Sequence, residues 1–231
     1  EETLIYPCIG PHAPYSVEEE EWKKCVDISQ KYGLIIHTHI SETLDENKEI
    51  KEKTGMSPTR WLESMGVLNQ NVLAAHSIHL SEEDMDLYSK YNVKVSTNPV
   101  SNLKLVSGIM PLKKMWDRGI TVSIGTDGAQ SNNSMDLIRD ARTCALIHKQ
   151  VMDDATFFTA KQSVRMCTIE GAKALNMEDK IGSLEVGKFA DIIAFDSESP
   201  RLCPLHRGSL KNLYSSIAYS ALGADVSDVI V

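Results

Sequence analysis

Short apolar runs that break off at a polar residue recur along the 231-residue chain, and a helix-like segment follows each. The runs are LIYPCIGPH ending near His12, LIIHTH ending at His39, NVLAAH ending at His76, VKVSTN ending at Asn98 and ITVSIGTD ending at Asp127. Strands alternating with helices predict repeated β-α units and a parallel sheet. Helix boundaries are legible between the runs. Ser16 to Glu19 and Ser81 to Asp84 have capping-box spacing, Ser57 with Pro58 reads as a cap and first turn, and Gly119 follows Lys113, Lys114 and Arg118 as a helix stop does.

The strand ends are separated by 27 residues (His12 to His39), 37 (His39 to His76) and 51 for two units (His76 to Asp127). A (β/α)8 barrel uses about 30 residues per unit, so the intervals fit one. A doubly wound sheet fits the intervals too, but it gathers polar residues at one switch point and usually carries a glycine-rich phosphate turn. Here all five runs end in polar residues, which favours the barrel. Beyond residue 134 the pattern predicts a helix over SMDLIRDARTCALIHKQ with Ser134 as cap, and a second over TAKQSVRMCTIEGAKALN. KIGSLEVGKFADIIAFD reads as two short strands around a Gly-Lys turn, and ADVSDVIV as a further strand-like alternation. The expected division is a barrel part over 1–178 and a segment over 179–231 leading into a small β-sandwich.

Composition narrows the function classes. Apolar residues make up 42% of the chain, enough for a sizeable core. With 24 basic against 32 acidic residues and a net charge of −8, no basic footprint for nucleic acid or anionic membrane is present. Cys8, Cys25, Cys144, Cys167 and Cys203 are odd in number and none are three apart, which argues against a disulfide framework or a thiolate zinc knot and for a reducing cytoplasm. No long uncharged apolar run predicts a signal peptide or membrane span. The chain starts at Glu1 rather than methionine and stops within a strand-like alternation, so it is expected to be a piece of a longer protein.

The candidate chemistry centres on LIIHTHISET. On a strand His37 and His39 face the same side, and two readings are open. The pair could bind one metal together, with His76 and Asp127 completing the set. Alternatively His39 alone is the ligand and Glu42, three residues on, is the acid/base for an activated water. His12 in GPHAP could be a turn residue, and Asp127 in GTDGA a turn aspartate, although the apolar run before Asp127 favours a carboxylate at a strand mouth. His79 reads as loop structure, and His148 and His206 as solvent or packing residues.

The stretches GPHAPYS, HTHISET, AAHSIHL, NPVSNLKLVSG, GTDGAQSNNSMDL and IGSLEVGKFADIIAFD together resemble the amidohydrolase superfamily, in its methylthioadenosine/S-adenosylhomocysteine deaminase branch. The resemblance implies a (β/α)8 TIM barrel with a small β-sandwich, the five strands being units 4 to 8. It implies His39 and Asp127 as ligands of one Zn2+, although another divalent metal would also suit. Glu42 is the implied acid/base and substrate contact, His76 orients the attacking water, Asp127 doubles as a base and His12 contacts the purine. His37 matches no catalytic position and is expected to pack or hydrogen-bond behind the site. The implied reaction is hydrolytic deamination of methylthioadenosine, S-adenosylhomocysteine or 5′-deoxyadenosine to the inosine analogue and ammonia. Guanine deaminase or triazine chlorohydrolase chemistry is the alternative. The family's first-strand His-x-His is not in this sequence, so the chain alone is expected to hold metal weakly and be inactive. The family also implies a homo-oligomer for the full-length protein.

Overall fold

A computed structural model describes residues 5–205 and 208–231. The elements run β1 (Cys8–Ile9), α1 (Glu19–Tyr32), β2 (Ile35–Ile40), α2 (Leu44–Thr54), α3 (Pro58–Ser64), β3 (Val72–His76), α4 (Glu82–Tyr91), β4 (Lys94–Thr97), α5 (Pro99–Lys104), α6 (Leu112–Asp117) and β5 (Val122–Ile124). They continue with α7 (Ala129–Asn132), α8 (Leu137–Met152), α9 (Ala160–Met166), α10 (Ile169–Ala174), β6 (Ile192–Phe195), α11 (Leu210–Tyr219), a 3₁₀ turn at Gly223–Asp225 and β7 (Val226–Ile230). The strand order β1-β2-β3-β4-β5 is strictly sequential. The pairs from β1 to β4 are parallel, as the expected β-α units require. The chain divides into two compact units, residues 1–97 with 106–122, and 98–105 with 123–231.

In the first unit Val72 to His76 are buried along their whole length, which is the signature of a strand covered on both faces. Ile36, Ile40, Leu62, Val72, Val95 and Met115 are buried among the core side chains. Removing about 25 cal/mol per Å² of apolar surface from water is the main force holding the sheet under its helices. The expected caps at α3 and α4 are present. The Ser57 side chain accepts from the Arg60 amide, and Ser81 with Asp84 forms a complete capping box. Gly119 closes α6 with φ +70, a left-handed conformation that glycine adopts without a Cβ clash. Ser16 does not cap α1. The helix starts after Glu18, which makes no side-chain cap, because the Ser16 hydroxyl is engaged by His12 instead.

The second unit is mainly helical. Asp136, not Ser134, caps α8, its carboxylate accepting from the amides of Ile138 and Arg139. A carboxylate in that position also suits the positive end of the helix dipole. The single helix expected over TAKQSVRMCTIEGAKALN is two, broken at Thr168, whose backbone (φ −125, ψ −101) lies outside the helical region. The two strands expected in KIGSLEVGKFADIIAFD reduce to β6 alone, which pairs antiparallel with β7, so the partner is distant in sequence rather than across the Gly-Lys turn. Among the described residues no helix is long and apolar enough to cross a membrane.

Candidate active site

Three strand ends of the first unit bring His12, His39, Glu42 and His76 together. The ring of His39 lies 5.1 Å from that of His12 and 5.3 Å from that of His76, stacked on the latter at 23°. The parallel register explains this: His39 on β2 pairs with Ala75 on β3, one residue short of His76. His39 Nδ1 lies 2.6 Å from the His12 carbonyl oxygen, which can only accept, so Nδ1 carries the proton. That tautomer leaves a lone pair on Nε2, the form in which an imidazole binds a metal. Ser16 in turn fixes His12. Its hydroxyl hydrogen-bonds His12 Nδ1 at 2.6 Å and also lies 3.3 Å from the Ala13 carbonyl, which holds the His12 ring in place.

Glu42 is held at both ends. Its Oε1 accepts from the Ser107 hydroxyl at 3.0 Å, and its Oε2 lies 3.6 Å from His76 Nε2, an electrostatic contact rather than a hydrogen bond. Behind it sits Glu46, 4% exposed, whose carboxylate accepts from the amides of Ser41 at 2.9 Å and Glu42 at 2.8 Å. Burial pushes the Glu46 carboxyl up to about 6, against the lowering effect of those two amides. The backbone here is unusual: Ser41 (φ +54), His76 (φ +65) and Ser77 (φ +52) are left-handed without being glycine. Such residues cost of order 1 kcal/mol each and persist where the surroundings enforce them, commonly at functional sites.

In the second unit Asp127, also left-handed at φ +61, follows β5 by three residues. Its Oδ2 accepts from Ser101 Oγ at 2.6 Å and its Oδ1 from the Gly128 amide at 2.7 Å. Ser101 is itself fixed by α5, whose Val100 amide donates to buried Asp140, and Asp140 also accepts from Asn132 at 2.9 Å. The asparagine of the SNNS segment thus serves as a support for the Asp127 loop.

The remaining histidines divide as follows. His37 lies on the same side of β2 as His39 but is exposed, not packed behind the site as expected. Its ring is still desolvated enough to lower its pKa, with His39 and His76 adding to the effect. His79 is loop structure, its Nε2 donating to the Ser107 carbonyl at 2.7 Å. His148 is a packing residue of α8, edge-on to Phe158. His206 falls outside the described residues. Sequence reasoning did not find Glu46, Ser101 or Ser107; only Glu46 left a trace, in the Thr43-x-x-Glu46 capping-box spacing.

Comparison with known proteins accords with this picture. The model of the amidohydrolase family matches residues 1–231. A 5-methylthioadenosine/S-adenosylhomocysteine deaminase of Desulforudis audaxviator is 43% identical over 98% of the chain and 52% of its own length. A 5′-deoxyadenosine deaminase of Methanopyrus kandleri is 41% identical over 100% of the chain and 52% of its own length. Among solved structures, an adenosine deaminase from Xanthomonas campestris with bound zinc superposes with a TM-score of 0.93 at 34% identity, covering 100% of this chain and 52% of that one. The chain therefore spans about half the length of the curated relatives it matches.

Proposed function

The chain belongs to the amidohydrolase family, and from that premise we propose that it carries the acid/base half of a metal-dependent deaminase acting on an adenosine-like nucleoside. The observation that carries the reading is the grouping of His39, His76 and Glu42, with the His39 tautomer set for ligation and the Glu42 carboxyl facing an imidazole at 3.6 Å. The names of the similar proteins support the substrate class: methylthioadenosine, S-adenosylhomocysteine or 5′-deoxyadenosine. The barrel part over 1–178 and the segment over 179–231 belong to this reading, as do a cytoplasmic location and self-association of the complete protein.

The donor set fits a zinc ion. His39 offers a neutral imidazole nitrogen, oriented by a carbonyl on its other nitrogen, and Asp127 a carboxylate whose direction Ser101 and Gly128 fix. His39 and Asp127 would hold it, and the chemistry it supplies when bound is activation of water as a nucleophile at neutral pH. The chain's own groups do the rest. Glu42 delivers a proton to the ring nitrogen beside the carbon that carries the amino group, so the ring accepts attack without building a full negative charge. His76 orients the water, and Asp127 takes its remaining proton and passes it to the amino group as the C–N bond breaks, so that ammonia leaves. His12 contacts the purine through its ring.

The test is ammonia release by the protein expressed from its complete reading frame, with methylthioadenosine, S-adenosylhomocysteine and 5′-deoxyadenosine as substrates. Glu42→Gln should abolish turnover while leaving zinc content unchanged. No ammonia from any of the three would refute the reading, and a fully active Glu42→Gln variant would remove Glu42 as proton carrier.

A further inference from the structure

We propose that Glu46 is a positioning residue for Glu42: its two carboxylate oxygens clamp the backbone amides of Ser41 and Glu42 and so fix the turn from which the Glu42 carboxyl reaches the substrate. The inference rests on the deaminase reading above.

Glu46 stands three residues after Thr43, the residue that caps α2 by accepting from the Glu46 amide at 3.1 Å. In an ordinary capping box the carboxylate would return to the amide of the capping residue itself. Here it reaches past Thr43 and takes the amides of the two preceding residues. Those residues form the exit of β2, where the chain turns through the left-handed Ser41. The Ser41 carbonyl accepts from the amides of both Ile78 and His79, so the turn is tied to the loop after β3 as well. One bond from Glu46 thus lands on the residue that forces the turn, and the other on Glu42.

A buried carboxylate is a costly way to start a helix. Thr43 already supplies the cap, and most of the Glu46 side chain is out of water. The geometry needs a group with two acceptors and no donor, because two successive amides point at it. Ionised carboxylate alone among side chains meets that demand. A glutamine would satisfy one amide and set an N–H against the other. The tip of Glu42 is tied separately by Ser107, so loss of the clamp would free the backbone end of the side chain while its tip remained tied.

The experiment compares kcat, KM and melting temperature for wild type, Glu46→Gln, Glu46→Asp and Thr43→Ala in the protein from its complete reading frame, with whichever of methylthioadenosine, S-adenosylhomocysteine and 5′-deoxyadenosine the wild type turns over fastest as substrate. Amide exchange at Ser41 and Glu42 is followed alongside. Glu46→Gln should lose tenfold or more in kcat with KM within twofold, and the two amides should exchange faster. Glu46→Asp, which keeps both acceptors on a shorter arm, should fall between it and wild type, and replaces it as the deciding variant if the glutamine protein does not fold. Thr43→Ala, which removes the cap and leaves the clamp, should lower the melting temperature and keep kcat within twofold. An unchanged kcat in Glu46→Gln, or an equal loss in Thr43→Ala, overturns the positioning role and leaves the deaminase reading intact. A wild type that releases no ammonia from any of the three nucleosides sinks the deaminase reading, and the positioning role with it.

Discussion

His148 should make the protein acid-sensitive in a way a single substitution removes. It lies on α8, 5% exposed, with its ring 6.3 Å from that of Phe158 and nearly perpendicular to it. Burial alone pulls its pKa from 6.5 down to about 4. The folded state therefore refuses a proton that the unfolded chain accepts, and the resulting stability is present above pH 6.5 and lost as the pH falls towards 4. Integrating between those two values gives a loss of about 2 kcal/mol at roughly pH 5 relative to roughly pH 8. Glu46 works in the opposite sense. Its pKa rises from 4.5 to about 6, so its ionised form is the disfavoured one. Its contribution is full below 4.5 and fades as the pH rises through 6, a gain of about 1 kcal/mol at roughly pH 5. The two partly cancel in the wild type, so the difference between wild type and His148→Leu isolates the histidine. Urea unfolding of both proteins across this range should show wild type losing about 2 kcal/mol more than the variant on acidification. Parallel stability profiles would refute the reasoning.

Three further outcomes follow from the same geometry. On the deaminase reading, and in the protein from its complete reading frame, Ser107→Ala removes the 3.0 Å hydrogen bond to Glu42 Oε1, a loss of about 1 kcal/mol that should lower kcat about fivefold in a steady-state ammonia assay. Ser101→Ala releases Asp127 Oδ2, and competition with a zinc chelator should show metal affinity down by about ten- to a hundredfold. Cys8 and Cys203 are exposed and should react with a thiol reagent in the native protein. Fully buried Cys144 should react only once urea unfolds the chain, and half-buried Cys167, whose thiol burial pushes up to about 12, should react more slowly than Cys8 and Cys203.

The features legible in the sequence share one property: each is specified within a few residues of chain. Apolar runs ending at His39, His76 and Asp127 mark strands because alternation and β-branched content are local signals. The Ser81 and Asp84 box and the Ser57 and Pro58 start are read from spacings of three or less. Where local signals compete, the reading fails. Ser16 has the spacing of a cap, but His12 four residues earlier takes its hydroxyl. Asp136 displaces Ser134 because its carboxylate reaches two amides of α8. The strand expected around the Gly-Lys turn is not formed, because β6 finds its partner in β7, more than thirty residues on.

The sequence by itself singled out the candidate side chains, His12, His39, Glu42, His76 and Asp127, since residue type and place at a strand end are written locally. Tertiary structure alone decided how those groups are aimed. Ser107 meets Glu42 across 65 residues, Ser101 meets Asp127 across 26, and β2 and β3 pair in the register that stacks His39 on His76. A hydrogen bond between distant residues leaves no periodic trace in the chain, because its geometry exists only once sheet pairing and core burial have fixed both backbones. The left-handed turn at Ser41 is of the same kind: no preference of serine asks for it and the packed fold imposes it, whereas His76 and Asp127 are of residue types that enter that region more readily.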